Sequence, residues 1–231
     1  MITDYQSFDS SVSPTEFGVS EDFCRAGTFA TGDTFTGTAI SSGTLASAAA
    51  LGGVATLSGA ATTDDSGYQI QSAACFAVTA NKPILFKTRV SLSDATESDL
   101  WAGLMPIDTS IIASEPTDLI AFKKADGGTT ISACVRVASG TTTAQAISST
   151  LFTAVADTYN ILGIAVYPGP AGAADTTSRV DFSINGVVVH RFTGALPAAS
   201  VVLAASLAFQ SGTATGTISA KCDYIEAIQK R

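Results

Sequence analysis

Basic residues are scarce in this chain. Twelve Lys and Arg stand against twenty Asp and Glu in 231 residues, a formal net charge of −8. Nucleic acid is therefore not an expected partner, because neutralising its phosphates takes clustered Lys and Arg. Long apolar runs are also missing. None approaches the ~18 residues of a membrane-spanning helix, so no membrane partner is expected. The opening Met1-Ile2-Thr3-Asp4 has neither a basic nor an apolar segment, so a secretory signal is not expected and cytoplasmic synthesis is. The four cysteines, Cys24, Cys75, Cys134 and Cys222, form no C-x-x-C. No zinc site follows from them, and reduced thiols are expected in a cytoplasm. His190 is the only histidine, and no G-x-S-x-G elbow supplies it with a nucleophile. No phosphate-binding G-K-[ST] loop follows any glycine pair. These absences leave no catalytic residue, metal ligand or cofactor to assign.

What is abundant sets the class. The chain holds 30 Thr, 26 Ser, 38 Ala and 20 Gly, but only five Glu and six Lys. Thr, Val and Ile suit a pleated surface, and Ser, Thr and Gly supply turns. The alanines do not recur with helical spacing. Ile84 to Leu92 alternates Ile84, Phe86, Thr88, Val90 and Leu92 against Lys87, Arg89 and Ser91, which predicts a strand with one buried face. Ile131 to Val137 alternates likewise, with Val135 on its inward face. Arg179 to Thr193 reads as a hairpin: Phe182 and Ile184 point inward, and Asn185-Gly186 makes a two-residue turn. Further strands are expected at 53–58, 68–71, 75–79, 100–105, 118–124, 160–167, 201–210 and 215–228, with a short helix at 110–113. Regular strands and turns predict an all-β, antiparallel two-sheet sandwich.

The first 35 residues differ. Six acidic residues stand there against Arg25 alone, and Phe17, Phe23, Phe29 and Phe35 recur every six positions. An even period keeps side chains on one face of extended chain. These rings either pack on their own sandwich or anchor an arm on a neighbouring subunit. Phe8, Phe17, Phe23, Phe29 and Phe35 are the candidate interface residues. Residues 1–49 are read as an N-terminal arm and 50–231 as the sandwich domain.

Glycoside hydrolysis needs two facing carboxylates. Of Glu16, Glu21, Glu97, Glu115 and Glu226, none lies on an expected strand with another acid two residues away. Asp64, Asp65, Asp94, Glu97, Asp99 and Asp108 fall in or near loops, as solvated charge or as oxygen ligands for Ca²⁺. Trp101 lies in the apolar run 100–105 and reads as core rather than as a sugar platform.

The segments G-G-V-A-T-L-S-G (52–59), D-D-S-G-Y-Q-I-Q (64–71), I-L-F-K-T-R-V-S-L-S-D-A (84–95) and D-L-W-A-G-L (99–104) resemble phage-encoded concanavalin-A-like (LamG-type) jelly rolls. So do D-L-I-A-F-K-K-A-D-G (118–127), V-D-F-S-I-N-G-V-V-V (180–189) and C-D-Y-I-E-A-I (222–228). The resemblance covers roughly residues 50–228. It implies a non-enzymatic bacteriophage virion protein, a capsid decoration or cement protein on the outer shell. The implied partners are the major capsid protein and further copies of the chain, as a homo-oligomer such as a trimer. The alternative on the same fold is a receptor- or glycan-binding module of a phage fibre, with a surface glycan as partner. The resemblance transfers no catalytic residue.

Overall fold

The computed structural model describes residues 16–23, 34–48, 53–170, 177–212 and 216–231. It is the expected antiparallel two-sheet jelly roll, and the described residues hold no α-helix. The front sheet has seven strands. In spatial order they are β10 (Thr143–Ala146), β9 (Ile131–Arg136), β8 (Leu119–Lys124), β7 (Ser98–Met105), β14 (Ala204–Ser211), β5 (Gly67–Ser72) and β2 (Phe35–Ile40). The back sheet runs β13 (Val187–Thr193), β12 (Arg179–Ile184), β11 (Asn160–Tyr167), β6 (Ile84–Leu92), β15 (Ser219–Lys230), β4 (Val54–Ser58) and β3 (Thr44–Ala48). β4 pairs with the start of β15, and β1 (Glu16–Glu21) pairs with its end.

Alternation explains the core. Ile84, Phe86 and Val90 from the back sheet and Val135 from the front sheet are buried, as are Phe182 and Ile184. Phe122 of β8 meets Phe182 of β12 edge to face across the sandwich, with ring centroids 5.3 Å apart. Asn185 and Gly186 have φ of 51° and 81°, the pair of positive values that a type I′ turn demands.

The structure corrects several expectations near the N-terminus. Residues 35–48 are two ladder strands, one in each sheet, so the sandwich begins well before residue 50. Phe35 and Phe23 are buried, and Phe17 stacks on Phe76 at 5.5 Å. These three rings are spent on their own core and are not free to anchor a neighbour. Phe8 and Phe29 lie outside the described residues. The even spacing misled because Phe17 and Phe35 sit on different sheets and face one interior from opposite sides. Residues 75–79 form no strand, only a bridge from Phe76 to Leu203, and 110–113 is a turn. Cys75, Cys134 and Cys222 are free thiols; Cys24 lies outside the described residues.

Loops 59–66, 93–97 and 125–130 gather at one end of the sandwich. Glu16 and Lys230, paired with each other, lie at the opposite end.

Candidate ligand site on the outer face of the front sheet

The ladder registers place two transverse rows on the outer face of the front sheet. One row reads Ala146, Ser132, Lys123, Trp101, Ala208, Gln69, Thr38. The next reads Ala144, Cys134, Ala121, Gly103, Ser206, Gln71, Thr36. Beyond the first row, towards the loop end, stand Asp99 on β7 and Gln210 on β14, directly opposite each other.

The middle of this face is already filled. Residues 106–112 fold across it, and Ile111 packs with Trp101, Met105, Leu119, Ala121, Cys134 and Ala208 in a second apolar cluster. Two glutamines hold that strap by its main chain. Gln71 accepts from the Asp108 N–H at 3.1 Å and donates to the Pro106 carbonyl at 3.2 Å. Gln69 accepts from the Ile111 N–H at 3.1 Å and donates to the Asp108 carbonyl at 2.5 Å. A primary amide both donates and accepts, so each side chain can satisfy the peptide groups of a chain crossing the sheet.

The loop end of the face remains open. Lys123, Ser132 and the turn 125–130 lie there, around a depression of about 390 Å³ bounded by Lys123, Asp126, Gly127, Gly128, Thr130 and Ser132. Asp126 donates its N–H to Asp99 Oδ1 at 3.1 Å, which ties the turn to β7. Gln210 donates to the Asp65 carbonyl at 2.5 Å, which brings the 59–66 loop to the same corner. Trp101 is buried as the sequence implied. Its indole is covered by the Lys123 ammonium, 4.8 Å from the ring centroid, a cation–π contact.

Asp65 and Asp99, which sequence reading left as separate loop charges, thus share one corner with Asp126 of the 125–130 turn. No spacing in the chain announces this, because the residues come from three different connections. Burial pushes the Asp99 carboxyl above the ordinary carboxylate range. The Asp126 N–H opposes that, the Asp126 charge adds to it, and Lys124 offsets part of it. His190 is half-buried on β13, tilted against Phe182, far from this corner in the sheet order; burial lowers its pKa.

The sign of the Asp99 shift gives a test. Its folded pKa lies above the unfolded one, so the folded state holds the proton more tightly. That stabilisation is complete below the unfolded pKa and is lost as pH rises through the folded value. At neutral pH the ionised carboxylate is then a cost. Asp99→Asn should melt higher than wild type at pH 7, with the gap closing towards pH 3. A thermal-melt series in which the variant melts lower at pH 7 would reject this account.

No family model and no curated protein sequence matches the chain. Solved structures match its fold over nearly the whole length. A native glycosidic hydrolase is similar with a TM-score of 0.61 and 13% identity, covering 94% of this chain and 97% of that one. The carbohydrate recognition domain of Emp47p gives 0.61 and 8%, over 97% and 100%. A carbohydrate esterase from the Shiga toxin-encoding bacteriophage phi24B gives 0.52 and 16%, over 85% and 90%. Two of the three are enzymes and none is a capsid decoration protein. The expectation of a non-enzymatic chain is corrected to this extent: solved proteins that share its fold include enzymes. Two acids alternating on one strand were sought in the sequence, whereas the acids that meet at this corner, Asp99 and Asp126, come from a strand and from the neighbouring turn.

Proposed function

We propose that the chain is a carbohydrate-recognising jelly-roll domain that binds a neutral glycan at the open, acid-lined end of its front sheet. The observation that carries this is the gathering of Lys123, Asp126, Thr130 and Ser132 around one depression, with Asp99 tied to the Asp126 main chain next to it. Ionised carboxylates accept from sugar hydroxyls, and the Lys123 ammonium and Ser132 hydroxyl can donate to them. Uronates fit poorly, because the like charges of Asp65 and Asp126 already crowd Asp99. Glu16 and Lys230, paired with each other, lie at the opposite end of the sandwich from the depression. In the virion setting that the sequence resemblance implies, a glycan site suits a receptor-binding fibre module on the particle exterior better than a cement protein.

A second reading, glycan cleavage, is favoured by the raised pKa of Asp99 beside Asp126. Carboxylates of unequal environment divide acid and base roles.

One calorimetric series tests both readings, using a β-1,3-1,4-linked glucan oligosaccharide, chitohexaose and an alginate oligosaccharide. Wild type should bind a neutral glycan and not alginate. Asp126→Asn should weaken binding by roughly tenfold, as loss of a charge-assisted hydrogen bond does. Reducing ends appearing with wild type and not with Asp99→Asn would establish cleavage. No binding to either neutral glycan overturns the proposal.

A further inference from the structure

Lys124 is the most deeply buried cation described, 1% exposed at the end of β8. By strand parity it faces away from the glycan depression, while Lys123 faces into it. Its ammonium donates to the Thr96 carbonyl at 2.8 Å and to the Ser98 carbonyl. Those two carbonyls flank Glu97 in the 93–97 loop and the first residue of β7. Asp94 closes the same loop from inside: its carboxylate accepts from the Thr96 N–H at 2.7 Å and the Glu97 N–H at 2.9 Å, while its carbonyl accepts from Ser98 Oγ at 2.5 Å. These N–H donors hold the Asp94 carboxyl below its ordinary range. Asp99 follows Ser98 directly, and Asp126 lies two residues beyond Lys124. The ammonium therefore stands among Asp94, Glu97, Asp99 and Asp126, with main-chain oxygens as its ligands.

Carbonyl and carboxylate oxygens around one positive charge are the donor set that hard cations take in proteins. Here the cation is part of the chain. A buried ammonium without partners is costly, so Lys124 needs the carbonyl oxygens that the 94–99 segment turns towards it.

We infer that Lys124 is the positioning residue of the glycan site, an internal cation that holds the 94–99 segment and thereby sets Asp99 against the Asp126 turn. This rests on the carbohydrate reading above for its functional consequence, though not for its structural one. Lys124 does not touch the ligand; it acts through Asp99 and the loop.

The test uses the full chain carrying Lys124→Ala, with two readouts: amide exchange over residues 94–99, and titration with the β-1,3-1,4-glucan oligosaccharide. Removing two hydrogen bonds from a charged donor should speed exchange over 94–99 and weaken the titration, each by roughly tenfold or more. Ethylammonium chloride, which can refill the vacated site with a short ammonium, should restore both; sodium chloride at the same strength should not. A role limited to bulk stability would slow or speed exchange throughout the sandwich and show no selective rescue. Should Lys124→Ala fail to fold, Lys124→Met fills the volume without the charge and carries the same comparison. Unchanged exchange over 94–99, or loss of fold in both variants with no rescue, overturns the inference. If Asp126→Asn weakens binding while Lys124→Ala does not, the positioning role fails and the glycan site stands. If wild type binds no neutral glycan, the glycan reading fails, and the exchange readout still decides whether Lys124 organises the loop.

Discussion

A chain lacking residues 1–40 is expected to lose cooperative unfolding and to aggregate. The truncation removes β1 from the end of β15 and β2 from the edge of the front sheet. It also removes Phe23 and Phe35, both buried, and Phe17, which stacks on Phe76. Burying a Phe side chain contributes roughly 1.5–3 kcal/mol. Three of them approach the about 5–15 kcal/mol by which a whole domain is stable. The loss also exposes Ile70 and Ile225 and leaves β5 with an open edge, the kind of edge that pairs with other chains. A free arm would behave differently: the truncated chain would stay soluble and melt near the wild-type temperature. Circular dichroism melts and size-exclusion chromatography of the two chains distinguish these outcomes, and an intact melt would show that residues 1–40 do not belong to the core.

Phe182→Ala should be the most damaging single truncation within the sandwich. Phe182 is fully buried on β12, edge to face with Phe122 from the other sheet and tilted against His190. It lies opposite Ile164 in the β11 ladder. Deleting a buried Phe costs about 3–5 kcal/mol, through lost transfer energy and the cavity left behind. For a domain of this size each kcal/mol lowers Tm by roughly 2–4 °C, so the midpoint should fall by roughly 6–20 °C. The urea midpoint should drop with an unchanged slope, because the surface exposed on unfolding is nearly the same. A loss below about 1 kcal/mol would mean that the cross-sheet contact collapses to fill the gap, contrary to the rigid packing described.

Strand alternation was legible where one face of a strand is buried and the other is wet. β6 and the β12–β13 hairpin coincide with their predicted spans, because period-two patterning and an Asn-Gly turn are local properties. β2 and β3 were not legible. Their residues, FTGTAI and TLASA, carry few large apolar side chains, and they are strands because β5 and β4 offer them an edge. The same applies to β10, TAQA, which is exposed along its whole length and is held by the β9 ladder alone.

The capsid-decoration expectation rested on family resemblance and on an apparent lack of chemistry. The grouping of acids at one corner was not visible in that reading. Asp65, Asp99 and Asp126 are far apart in sequence and come together only because the 59–66 loop, β7 and the 125–130 turn end at one corner. Likewise, Lys124 follows Lys123 in the chain, and nothing local separates their roles. Strand parity sends one to the Trp101 ring and the other into a nest of carbonyl oxygens.

By itself the sequence determined the class, the antiparallel sandwich and the inward face of its longest strands. Those follow from side-chain periodicity and turn chemistry, which act over a few residues. The tertiary structure alone decided that Phe23 and Phe35 belong to the core with Phe17 packed against it, that a glutamine-held strap covers the middle of the front sheet, and that an acidic corner remains open beside it. Each of these depends on which strand lies next to which, and pairing between residues 30 to 150 positions apart leaves no local pattern to read.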